Sequence, residues 1–323
     1  MDASLPEPAD PRLPEGREAL EPVWVWRLEE APAPSPPLPS RPAVLRSLAF
    51  FLLTFLSIYV TGGPLLALGL LSILLAHEMG HYLAARYYRV DASLPYFIPL
   101  PFLSFVGTLG AFIRLRSRIP NRRALFDIGV AGPLAGFLTC LPVLWLGVLE
   151  GQWVPLRGTG EGPEYFGEPL FFQWAVSWLK GPAPDGATLL IGPLGLAAWF
   201  GLFVTALNLI PVGQLDGGHA VYAMAPRWAR RVSRVGLGVC LVLLYHRPTW
   251  LAWTVLLLLL GRHPHPPTGN DGAALGWPRV IVGVLAFAIF AGCFTPDPIL
   301  MSWGDFAGAL RELARLLVSF LHL

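Results

Sequence analysis

Between Leu66 and Arg86 the chain runs through an apolar stretch long enough to cross a bilayer, and three ionisable side chains, His77, Glu78 and His81, lie inside it. A helix rises ~1.5 Å per residue, so about 20 residues span the ~30 Å of hydrocarbon in a membrane. An ionisable group near the bilayer centre costs roughly 2.5–3.5 kcal/mol on insertion scales, and a cluster of them demands compensation. Helical geometry offers one. Residues four apart project from the same face, so His77 and His81 can grip one metal ion with Glu78 beside them. The competing reading, a pair of core histidines bonded to their neighbours, is the weaker one at membrane depth.

Composition agrees with a membrane setting. The 323 residues are 54% hydrophobic and 14% charged, too few charges for a water-soluble surface of this size. A polytopic membrane protein is expected. The net charge of +2, with arginines scattered between apolar runs, gives no basis for nucleic-acid binding. Cys140, Cys240 and Cys293 fall within apolar runs without C-x-x-C spacing and are expected to be packing residues. The N-terminus is acidic and proline-rich rather than basic then apolar, which argues against a cleaved signal peptide.

Three regions are expected: a Pro/Glu-rich disordered tail over 1–43, a core over 44–235, and C-terminal transmembrane helices over 236–323. Within the tail, the patch Val23-Trp24-Val25-Trp26 fits either a short strand or a contact with the membrane interface. A first span is predicted over 45–60, separated from the His77 helix by Gly62-Gly63-Pro64. Residues 94–116 are apolar but broken by three prolines and rich in strand formers. They are read either as extended segments beside the site, where a strand edge can pair with an unfolded peptide, or as a loop among lipid headgroups. Further spans are predicted over 124–149, 187–210, 235–246, 249–261 and 278–295, with a C-terminal helix over 305–322. Gly132 and Gly136 form a small-residue face for close helix packing, and Asp127 is expected to cap or to pair with a nearby arginine. Phe171, Trp174 and Trp178 share one face of an interfacial helix, and Arg227, Arg230, Arg231 and Arg234 mark a short amphipathic piece. If the spans alternate, the arginines at 86–89, 114–123 and 227–234 fall on one side and the glutamate-rich loop 150–187 on the other. The positive-inside rule makes the arginine side cytoplasmic, with the N-terminus inside and His81 roughly 10 Å below that end of its helix.

Two histidines do not complete a catalytic zinc site, which takes three protein ligands and leaves a position open. Asp216 is the strongest third candidate, because it follows directly on a span, is flanked by Gly217 and Gly218, and has few carboxylate neighbours in sequence. An Asp-Gly-Gly turn is the bland alternative. Zn2+ held this way would yield hydroxide near neutral pH, with Glu78 as the proton carrier. Asn208, an amide in an apolar span, is read either as a donor to a substrate carbonyl or as a helix-end amide bonded to backbone. His219 is read as a support to the site or as unrelated, and metal binding at His263 and His265 is disfavoured.

Together, His77-Glu78-Met79-Gly80-His81 and the segment Asn208-Leu209-Ile210-Pro211 through Asp216-Gly217-Gly218 resemble the site-2 protease family of intramembrane zinc metalloproteases. Gly132-Pro133-Leu134-Ala135-Gly136 and the stretch 95–112 are similar to its bacterial and chloroplast branch, without the PDZ or CBS domains of other members. The resemblance covers roughly 45–235 and implies zinc ligands at His77, His81 and Asp216, a catalytic glutamate at Glu78 and a substrate-contacting asparagine at Asn208. It implies cleavage of a membrane protein substrate within or near its transmembrane helix, often after another protease has trimmed it. The fold class expected is an all-α polytopic membrane protein of about 6–8 transmembrane helices, with a membrane-associated strand region near the site. A multi-pass place in the cell's inner membrane follows. Two other readings remain: a non-catalytic protein that binds membrane segments, and a zinc-handling membrane protein.

Overall fold

The computed structural model describes residues 35–101, 104–155, 166–261, 267–300, 302–308, 311–312 and 315. The tryptophan patch at 24–26, His263, His265 and most of the expected C-terminal helix lie outside the described residues. Residues Pro36–Leu323 make up one contact unit.

Helix α1 (Arg41–Tyr87) opens with Pro42 in its first turn, where the missing N–H costs nothing. It is two limbs rather than one rod. Backbone torsions leave the helical range at Gly62 and Gly63, and Gly63 sits at φ +81°, a left-handed conformation that favours glycine. Pro64 then restarts the helix. The limbs fold back on each other: Arg86 donates to the carbonyls of Pro36 and Pro37 at 3.0 and 2.8 Å, so the two ends of α1 lie side by side. The expected break at 62–64 is therefore a reversal of direction.

Two short strands follow, β1 (Tyr96–Pro99) and β2 (Thr108–Phe112), paired antiparallel with Phe97 opposite Ala111. Proline excludes a helix here, and the alternating apolar residues take the extended form instead. The hairpin is tied to the first limb of α1 by Ser47, which donates to the Pro95 carbonyl at 2.6 Å, and by Ser57, which donates to the Gly107 carbonyl. It is extended toward its base by the bridge between Ala92 and Leu115.

Helix α2 (Arg122–Glu150) is capped by Asn121, whose side chain accepts from the Ala124 N–H at 3.0 Å. It packs on both α1 and α4. A second antiparallel pair, β3 (Gln152–Pro155) with β4 (Ala187–Leu190), encloses the short helix α3 (Leu170–Lys180), on which Trp174 and Trp178 are exposed. The start of the span expected over 187–210 is thus a strand. Gly192 and Pro193 end it, and α4 (Pro193–Leu209) begins only there, with proline in its first turn.

Beyond a turn comes α5 (Asp216–Met224), then α6 (Pro226–His246), which joins the arginine-bearing piece and the apolar run 235–246 into one helix. A 3-10 turn (Pro248–Trp250) leads to α7 (Leu251–Gly261), and α8 (Trp277–Cys293) packs on α4 and α2. The main core lies where α2, α4 and α8 meet, around Phe126, Cys140, Trp199, Leu202 and Ala286.

Among the described residues, two helices, α1 and α2, are long and apolar enough to cross a membrane, and α4, 248–259 and α8 are shorter apolar helices. Many of their large apolar side chains point outward, among them Leu48, Leu52 and Leu56 on α1 and Leu138 and Trp145 on α2.

Candidate metal centre

The second limb of α1 presents His77, Glu78 and His81, all buried, toward α2 and α5. The imidazoles come from successive turns, and they need room that side chains on α2 would take away. Gly136 supplies it for His77 and Gly132 for His81, the two helices running antiparallel with matched four-residue spacings. A Cβ on Gly136 would stand 3.1 Å from the His77 Cβ, and a Cβ on Gly132 would collide with the His81 ring. The small-residue face expected for helix packing is thus the bed on which the histidines rest.

Its neighbour on α2 orients the second ring. His81 Nδ1–H donates to the Ile128 carbonyl at 2.7 Å, and because a carbonyl can only accept, the proton must sit on Nδ1. Nε2 is left with a lone pair aimed at the site. This arrangement, a ligand histidine held through its far nitrogen, is the usual support of a metal site.

Asp216 enters from the first turn of α5. Its Oδ2 lies 3.4 Å from His77 Nε2 and 3.2 Å from His81 Nε2, and the two ring nitrogens are 3.2 Å apart. The donor set can be tested against an ion. Tetrahedral zinc bonded at ~2.0–2.1 Å holds its ligand atoms ~3.3 Å apart, so the triangle has the right edge and leaves the fourth corner open. Two histidines and a carboxylate also match zinc in chemical type. Among the described residues, His77, His81 and Asp216 form the group able to hold a metal ion.

Glu78 faces the same space, and its carboxylate accepts from the Ile113 backbone N–H just past the end of β2. Asn208, near the C-terminal end of α4, places its amide nitrogen 3.2 Å from His77 Nε2. All five residues expected for the site are therefore brought together. They line a cavity of 640 Å³ whose wall also includes Phe112, Ile113, Leu215 and Thr268. His219 lies on the same wall, beside Gly129. Another cavity, of 790 Å³, lies among Leu66, Phe105, Phe172, Leu190 and Trp199 and contains none of these groups. Of the stretch 94–116, residues 111–115 line this cavity, and β2 pairs with β1 alone among the described residues.

Four contributors were not singled out in the sequence: the Ile128 carbonyl, the Ile113 N–H and the wall residues Pro267 and Thr268. The first two are backbone groups and carry no residue signature. The glycines did carry one, since the spacing from Gly132 to Gly136 equals that from His77 to His81.

The sequence model described as Peptidase family M50 matches residues 65–245, which contain His77, Glu78, His81, Asn208 and Asp216. The chain belongs to peptidase family M50. Among its M50 relatives, "Probable zinc metalloprotease EGY1, chloroplastic" of Arabidopsis thaliana is 36% identical over 224 residues, covering 68% of this chain and 40% of that protein. The protein of the same name in Oryza sativa subsp. japonica is 35% identical over 234 residues, covering 69% of this chain and 39% of its own length. "Probable zinc metalloprotease EGY3, chloroplastic" of the same subspecies is 30% identical over 267 residues, covering 76% of this chain and 44% of itself. The chain thus spans about two fifths of the length of the curated M50 relatives it matches.

Proposed function

We propose that this chain is an intramembrane zinc metalloendopeptidase that hydrolyses peptide bonds in or near the transmembrane segments of membrane proteins. The observation that carries this reading is the triangle of His77 Nε2, His81 Nε2 and Asp216 Oδ2, with edges of 3.2–3.4 Å, beside the buried Glu78. The printed names of the relatives, zinc metalloproteases, support it.

His77, His81 and Asp216 would hold the zinc ion. When bound, zinc supplies a Lewis acid that polarises the scissile carbonyl and makes water acidic enough to yield hydroxide near neutral pH. Glu78 takes the proton of the attacking water and delivers it to the leaving amine. The Ile113 N–H keeps that carboxylate turned toward the cavity, and the Ile128 carbonyl keeps His81 Nε2 turned toward the ion. Asn208, whose amide cannot share a lone pair that His77 gives to zinc, donates instead to the substrate carbonyl as it gains negative charge. A substrate segment unwound into an extended form pairs with the open edge of β2, which satisfies its backbone and presents one peptide bond to Glu78. Water reaches Glu78 through the cavity rather than through lipid.

The two limbs of α1, α2, α4, the α6–α7 hairpin and α8 provide the proposed 6–8 spans, with the outward apolar side chains meeting lipid. Residues 44–235 form the proteolytic core and 236–323 add C-terminal membrane helices. The bonds from Arg86 to Pro36 and Pro37 support a start of α1 on the same side as the site. By the arginine distribution that side is cytoplasmic, and the membrane is a cell's inner membrane.

Glu78→Gln tests the assignment. Purified full-length protein should keep one zinc per chain and lose cleavage of a reporter with a transmembrane helix, and undiminished cleavage overturns the reading. Asp216→Asn should lower zinc occupancy. A protein that binds membrane segments without cutting them, or carries zinc as cargo, would show no Glu78-dependent cleavage.

A further inference from the structure

Residues 267–279 lie outside the family-matched region, yet hydrogen bonds tie them to the C-terminal end of α1, to α2 and to α5. On α8, Arg279 grips the Asp127 carboxylate from both sides, with Nε 2.9 and 3.1 Å from its oxygens and Nη2 2.8 Å from Oδ2. The same Nη2 donates to the Tyr88 hydroxyl at 3.1 Å, and that hydroxyl donates to Asp127. Tyr88 caps the C-terminal end of α1, seven residues past His81. Asp127 immediately precedes Ile128, whose carbonyl orients His81.

The preceding loop makes a parallel set of ties. Asp271 accepts from the Thr268 hydroxyl at 2.7 Å, from the Thr268 N–H at 3.2 Å and from the Tyr222 hydroxyl at 2.8 Å. Tyr222 sits on α5, six residues past Asp216. Toward α2, Arg118 donates to the Thr268 carbonyl, Arg122 twice to the Ala273 carbonyl and Arg123 to the Ala274 carbonyl, at 2.6–3.2 Å. The Gly269 N–H adds a bond to the Ile119 carbonyl at 2.9 Å.

We propose that this segment is a positioning clamp for the metal centre, in which Arg279 locks α1 to α2 and Asp271 ties α5 to the same segment, so that ligands from two separate elements, α1 and α5, stay in register. The proposal rests on the zinc reading above. Its physical basis is a mismatch between what the site needs and what packing supplies. Metal ligands tolerate errors of only ~0.2 Å. Helices in lipid lack a hydrophobic force to press them together, and α5 is nine residues long with only Gly217, Gly218, Ala220 and Ala223 buried. A bidentate arginine–carboxylate pair fixes orientation as well as distance, which a dispersion contact between small residues does not. Arg279 and Asp271 do not touch the ligands, so they act through Asp127–Ile128 and through Tyr222.

The test is zinc affinity, measured on full-length protein in detergent by chelator competition, in a Glu78→Gln background so that turnover plays no part. Arg279→Met and Tyr222→Phe should each weaken zinc binding ~10-fold, as loss of a ligand's supporting bonds typically does. Arg279→Met combined with Asp127→Asn should be no worse than either alone, because both break one tie. A merely structural role would lower the melting temperature and leave zinc affinity, measured well below it, unchanged; that result overturns the proposal. Should Arg279→Met fail to fold, Tyr222→Phe removes a single hydroxyl and decides the same point. A parent protein that binds zinc stoichiometrically alongside variants of unchanged affinity sinks the clamp and leaves the zinc reading standing. A parent that binds no zinc sinks both.

Discussion

Placing one methyl group at Gly132 should dismantle the metal centre while leaving the fold intact. A Cβ there would meet Nε2, Cδ2 and Cε1 of His81, with Cε1 at 2.5 Å. Carbon atoms pack best at about 3.5–4.0 Å, so the ring must retreat by roughly 1 Å. The ring cannot do so and keep its 2.7 Å bond to the Ile128 carbonyl, which belongs to the same helix as the new methyl. A retreat of roughly 1 Å is several times the ~0.2 Å tolerance of a metal ligand. Loss of such a support typically lowers metal affinity 10–100-fold, about 1.4–2.7 kcal/mol, and overpacking adds ~1–3 kcal/mol of destabilisation. Gly132→Ala should therefore lower zinc affinity at least ~10-fold in a chelator competition. Gly238→Ala is the control: it sits inside α6 with nothing near its would-be Cβ, and should stabilise by ~0.5–1 kcal/mol without touching zinc. Wild-type zinc affinity in Gly132→Ala would refute the bed of glycines beneath the histidines.

Asn208→Ala should retain zinc and lower kcat by ~10²–10³, the usual loss for a donor to a developing oxyanion, and an unchanged kcat removes it from the mechanism. Acid should loosen the loop around Asp271. Burial opposes its ionisation, but the Thr268 and Tyr222 hydroxyls donate to the carboxylate and hold it below the usual range. A depressed folded pKa means stabilisation that is complete above the unfolded value of ~3.9 and lost as pH falls through the folded one. Hydrogen exchange at residues 267–276, corrected for intrinsic rates, should speed up below pH ~4 in the wild type but lose that pH step in Asp271→Asn; identical profiles would count against the assignment.

What could be seen in the sequence depended on how local the signal was. The histidine pair declares itself because helical periodicity is a four-residue rule, and Asp216 stands out because a carboxylate next to an apolar span has few competitors. Prolines exclude a helix over 94–101 without choosing between strand and loop, and pairing with β2 settles that choice. The sheet of β3 and β4 was illegible for the opposite reason: each strand is four residues long, and the partners are separated by α3. Strand 187–190 also borrowed the hydrophobicity of α4, so it read as the start of that helix. Asp127 was expected to cap or to find an arginine, but the one it finds, Arg279, lies 152 residues away, beyond the reach of any pattern rule. The Ile128 and Ile113 backbone groups could emerge only from the folded chain.

The interlocking of α1 and α2 also limits how the site can open. With His77 and His81 seated over Gly136 and Gly132, sliding one helix along the other would drive an imidazole into a neighbouring side chain, so the pair behaves as a single rigid wall. The facing wall is built differently. The β1–β2 hairpin is held to the first limb of α1 by the Ser47 and Ser57 hydroxyls and by the buried Phe97, whose ring meets Phe51 edge-on, while its exposed Phe105, Leu109 and Phe112 carry apolar surface outward. If the chain cuts membrane segments as proposed, a peptide arriving from the lipid would meet this apolar hairpin surface before the chemistry.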